Sequence, residues 1–252
     1  MNTALTQAIN FCDTTLSRSE FRDFKGSENG LQIENDGTIT KIGAAVDGGL
    51  IPFQKAVEAG VDFLIVHHGI FWTPPVPITG FNYQKLKVAF DNNLAVYGAH
   101  LPLDAHPEIG NNALLAKNLG LEISRTFLNY EGKDIGIIAK VDEPFAETLK
   151  RLKQLFPETF TAIEFGSESP SEVAILTGSG AGAISSLKSN GVDTLITGEL
   201  KQNHYNQAQE EELNLYPCGH YATETFGVCA LASKLSEELG VPWTFIETDC
   251  PL

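Results

Sequence analysis

Short stretches of this chain gather side chains able to hold metal ions. Val66-His67-His68-Gly69 sets two imidazoles side by side. His100-x-x-x-Asp104 and His220-x-x-x-Glu224 each place an imidazole four residues before a carboxylate, and Thr197-Gly198-Glu199 adds another acid. Neutral imidazole and ionised carboxylate suit Zn²⁺, Fe²⁺, Mn²⁺ or Co²⁺. The cysteines, Cys12, Cys218, Cys229 and Cys250, form no C-x-x-C pair, so neither a thiolate cluster nor a disulfide framework is indicated. The candidate metal ligands are His67, His68, Asp104, His220 and Glu224. A carboxylate bridging two divalent ions about 3.5–4 Å apart is the arrangement of two-metal hydrolytic sites. Five ligands for two ions leave coordination positions open, which suits catalysis or substrate binding more than a closed structural site.

Each residue also has a plainer reading. Neighbouring side chains on a strand point to opposite faces. His67 and His68 therefore need a turn at Gly69, serve different ions, or simply hydrogen-bond at a strand end. His220 and Glu224 share a face if a helix opens there; alternatively Thr223 caps a helix and His220 precedes it. Asp104 is a ligand or a turn acid beside Pro107. His100 and Glu199 are the candidate catalytic groups. His100 would face substrate or support a ligand. Glu199 would be a general base for an activated water, or else an acid at a helix N-terminus. Asp47 supports a ligand or is a loop acid. Trp72, among Phe71, Thr73 and Pro74, stacks on a flat ring or packs within its loop. Asn29-Gly30 reads first as a turn. His106 and His204 read as ordinary surface or core histidines. There is no P-loop, G-x-G-x-x-G or H-E-x-x-H pattern.

The elements that must carry these residues repeat. Gly60-Val61-Asp62-x-Leu64-Ile65 matches Gly191-Val192-Asp193-x-Leu195-Ile196, an offset of 191 − 60 = 131 that also lays Ile42–Val46 over Val173–Thr177 and His68 over Glu199. His100-x-x-x-Asp104 matches His220-x-x-x-Glu224, an offset of 220 − 100 = 120 that carries Leu119-Gly120 onto Leu239-Gly240. Two ungapped matches in the same order predict a duplicated α/β unit. The first repeat, with an N-terminal helix, takes 1–127 (core about 40–127), an inter-repeat segment takes 128–171, and the second repeat takes 172–252. Apolar runs predict strands at Ile42–Val46, Phe63–Val66, Ala95–Tyr97, Ile135–Lys140, Val173–Leu176 and Thr194–Ile196. Helices are predicted at Phe53–Ala59, Tyr83–Asp91, Asn111–Leu119, Glu147–Leu155, Ala183–Ser189 and Thr223–Leu239. The alternation implies an α/β fold with parallel or mixed sheets covered by helices. The polar residues fall just beyond the carboxyl ends of the predicted strands, where sites gather in open α/β sheets.

With 252 residues and 42 % hydrophobic content, the chain is large enough to bury a core unaided. Seventeen basic against thirty-two acidic residues give −15, which opposes an extended nucleic-acid surface without excluding a small anionic substrate held at a metal. No apolar run approaches the ~18 residues needed to cross a bilayer, and the first residues carry no secretory pattern. A cytoplasmic, reducing setting is expected.

Together, Asn29-Gly30-Leu31-Gln32, Val66-His67-His68-Gly69, Gly98-Ala99-His100-Leu101-Pro102-Leu103-Asp104, Gly110-Asn111-Asn112, Thr197-Gly198-Glu199 and Gly219-His220-Tyr221-Ala222-Thr223-Glu224 resemble one family over nearly the whole chain. It is the dinuclear-metal-centre family whose bacterial members are called GTP cyclohydrolase I type 2 homologs. The resemblance implies two interlocked α/β repeats and a ring-shaped homohexamer whose metal sites face a central cavity. It places five ligands on His67, His68, Asp104, His220 and Glu224. Many relatives have Pro where this chain has Gly69, which changes a turn and not a ligand. The short 128–171 segment leaves no room for the inserted domain of some relatives. The expected activity is metal-dependent hydrolysis of a nucleotide or related heterocycle, ring opening of GTP being what the family's name implies. Two-metal phosphoester hydrolysis and a non-catalytic metal scaffold or store are the alternatives.

Overall fold

The computed structural model describes residues 3–72 and 76–251. Thr73 and Pro74, named above beside Trp72, lie outside the described residues. The chain forms two compact units, one of Met1–Leu103 with Gly227–Asp249, the other of Asp104–Phe226 with Cys250–Leu252.

The first unit opens with helix Ala4–Thr15, started by Thr3, whose hydroxyl accepts the Thr6 N–H at 3.2 Å. Its buried residues Leu5, Ala8 and Cys12 recur at helical spacing. Four strands follow: β1 (Gly30–Ile33), β2 (Ile42–Asp47), β3 (Phe63–His68) and β4 (Ala95–Gly98). β2, β3 and β4 run parallel, and β1 pairs antiparallel with β4. Helix Leu50–Glu58 joins β2 to β3, with Pro52 in the first turn, where a missing N–H breaks no helical bond. Helix Gly80–Asp91 joins β3 to β4. Ile42–Val46 and Phe63–His67 are buried on both faces, as covered parallel strands must be. Ile33, Ala45, Phe53, Leu64, Val66, Leu94 and Val96 form the core.

The second unit holds β5 (Glu122–Tyr130), β6 (Lys133–Lys140), β7 (Ile163–Glu164), β8 (Glu172–Ser179), β9 (Thr194–Glu199) and β10 (Asn214–Pro217). Their spatial order is β5-β6-β8-β9-β10-β7. β8, β9 and β10 are parallel, while β5 and β6 form a hairpin whose inner strand pairs antiparallel with β8. Leu115, Leu119, Ile137, Phe145, Val173, Ile196 and Tyr216 form its core. After helix Thr225–Leu239, β11 (Trp243–Phe245) pairs in parallel with β2, completing the first sheet in the order β1-β4-β3-β2-β11.

The architecture is thus mixed α/β, two sheets covered by helices. The predicted strands are all present, each somewhat longer than its apolar run. β1, β5 and β11 have no clear signal in the sequence. The compact units do not follow the repeats: Thr225–Leu239 and β11 belong to the second sequence repeat, yet β11 and most of that helix lie in the first unit. β6, starting within 128–171, is an inner strand of the second sheet. The predicted helix Ala183–Ser189 is broken into Ala181–Ile184 and a 3₁₀ turn at Lys188–Asn190. There Ser186 Oγ donates to Ala183 O and Asn190 Nδ2 donates to Ser186 O, local side-chain bonds that compete with a continuing helix. Among the described residues, no helix is long and apolar enough to cross a membrane.

Candidate metal centre

In the first unit, the parallel strands β2, β3 and β4 end beside one another, and the polar groups stand at those ends. His67 is wholly buried and His68 partly so. Although adjacent on β3, their ring centroids lie 5.0 Å apart, and His100, just past β4, has its ring 5.0 Å from that of His67 and 5.8 Å from that of His68. Ligand atoms of His67, His68 and His100 all lie within 4.8 Å of one another, close enough to serve a metal ion.

Each ring is held through Nδ1. His67 Nδ1 donates to Ala99 O at 2.7 Å, a carbonyl fixed because Ala99 N–H donates to Val66 O. His68 Nδ1 donates to Asp47 Oδ1 at 2.9 Å, Asp47 being the register partner of His68 at the end of β2. His100 Nδ1 donates to Asp23 Oδ1 at 2.9 Å. A carbonyl or carboxylate can only accept, so these bonds place the proton on Nδ1 and leave the Nε2 lone pair for a metal or a substrate proton.

Asp23 anchors a network that sequence reasoning missed. Its Oδ2 accepts from Asn29 Nδ2 at 2.7 Å and from Leu101 N–H at 3.0 Å, and Asn29 Oδ1 accepts the His100 N–H at 2.7 Å. Burial raises the Asp23 carboxyl pKa, but the bonds from His100, Asn29 and the Phe24 N–H outweigh it and hold the group below its ordinary value. Asn29-Gly30 is therefore not a simple turn: Asn29 ties two loops together, and Gly30 opens β1 at φ +110°. Gln32 is a second clamp. Its Oε1 accepts the Ile70 N–H at 2.8 Å and its Nε2 donates to Glu28 O at 2.8 Å, fixing the turn after His68. A side chain at Gly69 or Gly98 would collide with Gln32.

In the second unit, Asp104 is buried at the end of the turn Leu101–Asp104. Its Oδ1 accepts from Asn111 Nδ2 at 2.7 Å, and its backbone carbonyl accepts from Asn112 Nδ2 at 3.1 Å. Asn112 Oδ1 accepts the Thr177 N–H at 2.8 Å, which links the start of helix Asn111–Asn118 to the end of β8. Asp104 is thus a braced carboxylate. His220 opens the short helix His220–Thr223, with Glu224 following. Thr223 does not cap the next helix; its hydroxyl donates to Gly219 O and accepts the Gly178 N–H at 3.1 Å.

His220 Nδ1 meets Glu199 Oε1 at 3.2 Å and its Nε2 meets Glu224 Oε1 at 3.1 Å. Burial lowers the His220 pKa, yet the bonds and charges of Glu224 and Glu199 prevail and push it up to about 9. A cation at Nε2 would take the place of a proton between His220 and Glu224. Glu199 contacts His220, and the helix after it begins only at Asn203. Gly178, at φ +65°, leaves room for this group, since a Cβ there would overlap Glu224 Oε1. Nitrogen and oxygen donors, carbonyl and carboxylate oxygens that hold the rings at Nδ1, and a glycine that leaves room for Glu224 all fit divalent metal ions.

Two of the remaining candidates, both histidines, fall elsewhere. His106 Nδ1 accepts from the N–H groups of Glu108 and Ile109, and buried His204 accepts from Lys201 N–H; both brace local turns. Trp72 packs edge-on against His100, with centroids 4.7 Å apart.

The Duf34/NIF3 (NGG1p interacting factor 3) family model matches residues 3–251. A protein of Deinococcus radiodurans named GTP cyclohydrolase 1 type 2 homolog is 40 % identical over 222 residues, 87 % of this chain and 84 % of its own. A Pyrococcus horikoshii protein of the same name is 39 % identical over 246 residues, 96 % of each chain. The crystal structure of TTHA1606 from Thermus thermophilus is similar at a TM-score of 0.85 and 37 % identity, covering 98 % of both chains. The chain belongs to the Duf34/NIF3 (NGG1p interacting factor 3) family.

Proposed function

We propose that this chain is a metal-dependent hydrolase in which His67, His68, Asp104, His220 and Glu224 hold two divalent ions, and that its substrate is a nucleotide or related heterocycle. The observation that carries this reading is the shared tethering of the histidines. His67, His68, His100 and His220 each meet an oxygen acceptor at Nδ1: Ala99 O, Asp47, Asp23 and Glu199 respectively. That pattern commits Nδ1 to the tether, leaves Nε2 as the other ring nitrogen, turned on His220 to Glu224, and is characteristic of metal-binding and proton-transferring imidazoles. The relatives' name, GTP cyclohydrolase 1 type 2 homolog, supports the substrate class.

When bound, the ions would supply Lewis acidity and an activated water. The chain's own groups do the rest. Asp104 keeps its orientation through Asn111 and Asn112. His100 and Glu199 are the proposed proton-transfer groups. His100, its Nδ1–H locked by Asp23, accepts a proton at Nε2. Glu199, half-exposed, orients His220 and exchanges protons with solvent. The same reading includes a cytoplasmic homohexamer, which light scattering on the purified protein checks.

Elemental analysis tests the central claim. The wild type should carry about two equivalents of divalent metal, and His68→Ala should lose most of it. Metal-free wild type after incubation with Zn²⁺, Fe²⁺ or Mn²⁺ would overturn the reading. Loaded protein should then hydrolyse a nucleotide in a screen.

A further inference from the structure

Beside the histidine cluster, the first unit keeps three large aromatic side chains in partial contact with solvent. Phe24 is 41 % exposed, Phe71 47 % and Trp72 36 %. Burying such rings is worth more than burying most side chains, so three left open at one place call for a reason. Their positions are fixed by the same framework that fixes the histidines. Phe71 and Trp72 follow the turn clamped by Gln32. That turn sits against Gly26, where a Cβ would lie 2.7 Å from Phe71 O, and Gly26 has φ +96°. Phe24 is next to Asp23, and its ring centroid lies 5.9 Å from that of His100. Trp72 stands edge-on to His100, interplanar angle 77°, and 5.8 Å from the His68 ring. The indole nevertheless keeps part of its surface open to solvent beside the two imidazoles.

We infer that Trp72 is a stacking ledge that binds the planar heteroaromatic ring of the substrate and sets its position relative to His68 and His100. A ring on this ledge has the imidazoles at its side. Every nucleobase has a π-face, so the ledge selects flat rings as a class without reading one base. In a chain of net charge −15, this uncharged contact lets an anionic nucleotide dock by its base while its charged part is left to the metal ligands. The inference rests on the proposed function for its substrate class and adds the residue that recognises the ring.

Trp72 and Trp243 are the only tryptophans, so Trp243→Phe makes Trp72 the sole indole reporter. AMP, GMP, CMP and UMP are titrated against purified Trp243→Phe protein, with ribose 5-phosphate as the ringless probe and metal content measured on the same samples. At least one nucleotide should quench Trp72 and bind at least tenfold more tightly than ribose 5-phosphate. In otherwise wild-type protein, Trp72→Ala should weaken that binding about tenfold or more, Trp72→Phe should restore most of it, and ribose 5-phosphate affinity should not change. Unchanged nucleotide affinity in Trp72→Ala, or no nucleotide binding better than ribose 5-phosphate, overturns the ledge. The metal measurement separates the two readings: absent metal counts against the dinuclear centre, whereas normal metal with Trp72-independent binding counts against the ledge alone.

Discussion

Asp23 Oδ1 lies 2.9 Å from His100 Nδ1 across 77 residues of sequence, and the carboxylate that makes this bond is almost entirely buried. Its other oxygen takes the Asn29 amide and the Leu101 N–H. One carboxylate thus sets the tautomer, the ring position and the backbone position of His100 together.

His100→Gln should retain the metal content of the wild type, since this residue lies outside the five proposed ligands, while kcat falls by roughly 10²–10⁴, the usual contribution of a general acid or base. Elemental analysis and turnover on the same preparation check it. Loss of metal together with activity would make His100 a ligand instead.

Asp23→Asn replaces an acceptor with a group that must aim an N–H at a neighbouring donor. Stability should fall by about 2 kcal/mol, as for the loss of buried bonds to a charged partner. Urea unfolding measures the change. A shift within error would mean that the network has little energetic weight.

Gly178→Ala should act sharply where Gly182→Ala does not. A methyl at Gly178 would overlap Glu224 Oε1 and must also adopt φ +65°, whereas a methyl at Gly182 meets nothing within 4 Å. The first change should lower melting by several degrees, from about 1–3 kcal/mol of backbone strain and displacement, and reduce metal uptake. The second should be neutral or slightly stabilising. Thermal melts of both variants decide it.

Asp13 provides a pH test away from the metal ligands. Arg18 donates to it at 2.6 and 2.7 Å, and the Tyr97 hydroxyl donates at 2.6 Å. Burial raises the Asp13 pKa, but these bonds outweigh it and hold the carboxyl below its usual value. A depressed folded-state pKa gives stability that is present above the unfolded value of about 3.9 and is lost as pH falls through the folded value. Asp13→Asn should therefore be less stable than wild type at neutral pH by about 2 kcal/mol. The difference should shrink as pH falls below about 4. Parallel denaturation curves at both pH values read it.

Glu224→Gln keeps size and removes charge at a buried carboxylate. We expect the variant to fold with an unaltered far-UV spectrum, lose metal and lose turnover. Unfolding on metal loss would instead favour a structural role for the ions.

How far these residues could be read from sequence depended on sequence distance. The strand ends carrying His67, His68 and Glu199 were legible because apolar runs stop abruptly at polar residues. His220 and Glu224 were legible because they recur four residues apart, as His100 and Asp104 do. Asp23 was not, because nothing local distinguishes an acid that bonds a histidine 77 residues away. Asn29 looked like a turn because Asn-Gly is a turn dipeptide, while its actual role depends on two loops meeting. β5 was hidden by its outer position: Glu122–Thr126 are all exposed, so no apolar alternation marks the strand. The break after Ile184 came from serine and asparagine side chains taking backbone carbonyls, a competition that periodicity does not register.

The pairing of β11 with β2 has a consequence for synthesis. Trp243, Thr244 and Phe245 lie beside Ile42, Gly43 and Ala44, so one edge of the first sheet is supplied by residues made after every strand of the second sheet. Until then a nascent chain on the ribosome presents β2 as an open, largely apolar border, the kind of edge that recruits foreign strands. The first sheet is therefore completed only after the strands of the second have been made, and a chain cut short between Glu224 and Trp243 would hold all its candidate ligands with its first sheet unsealed.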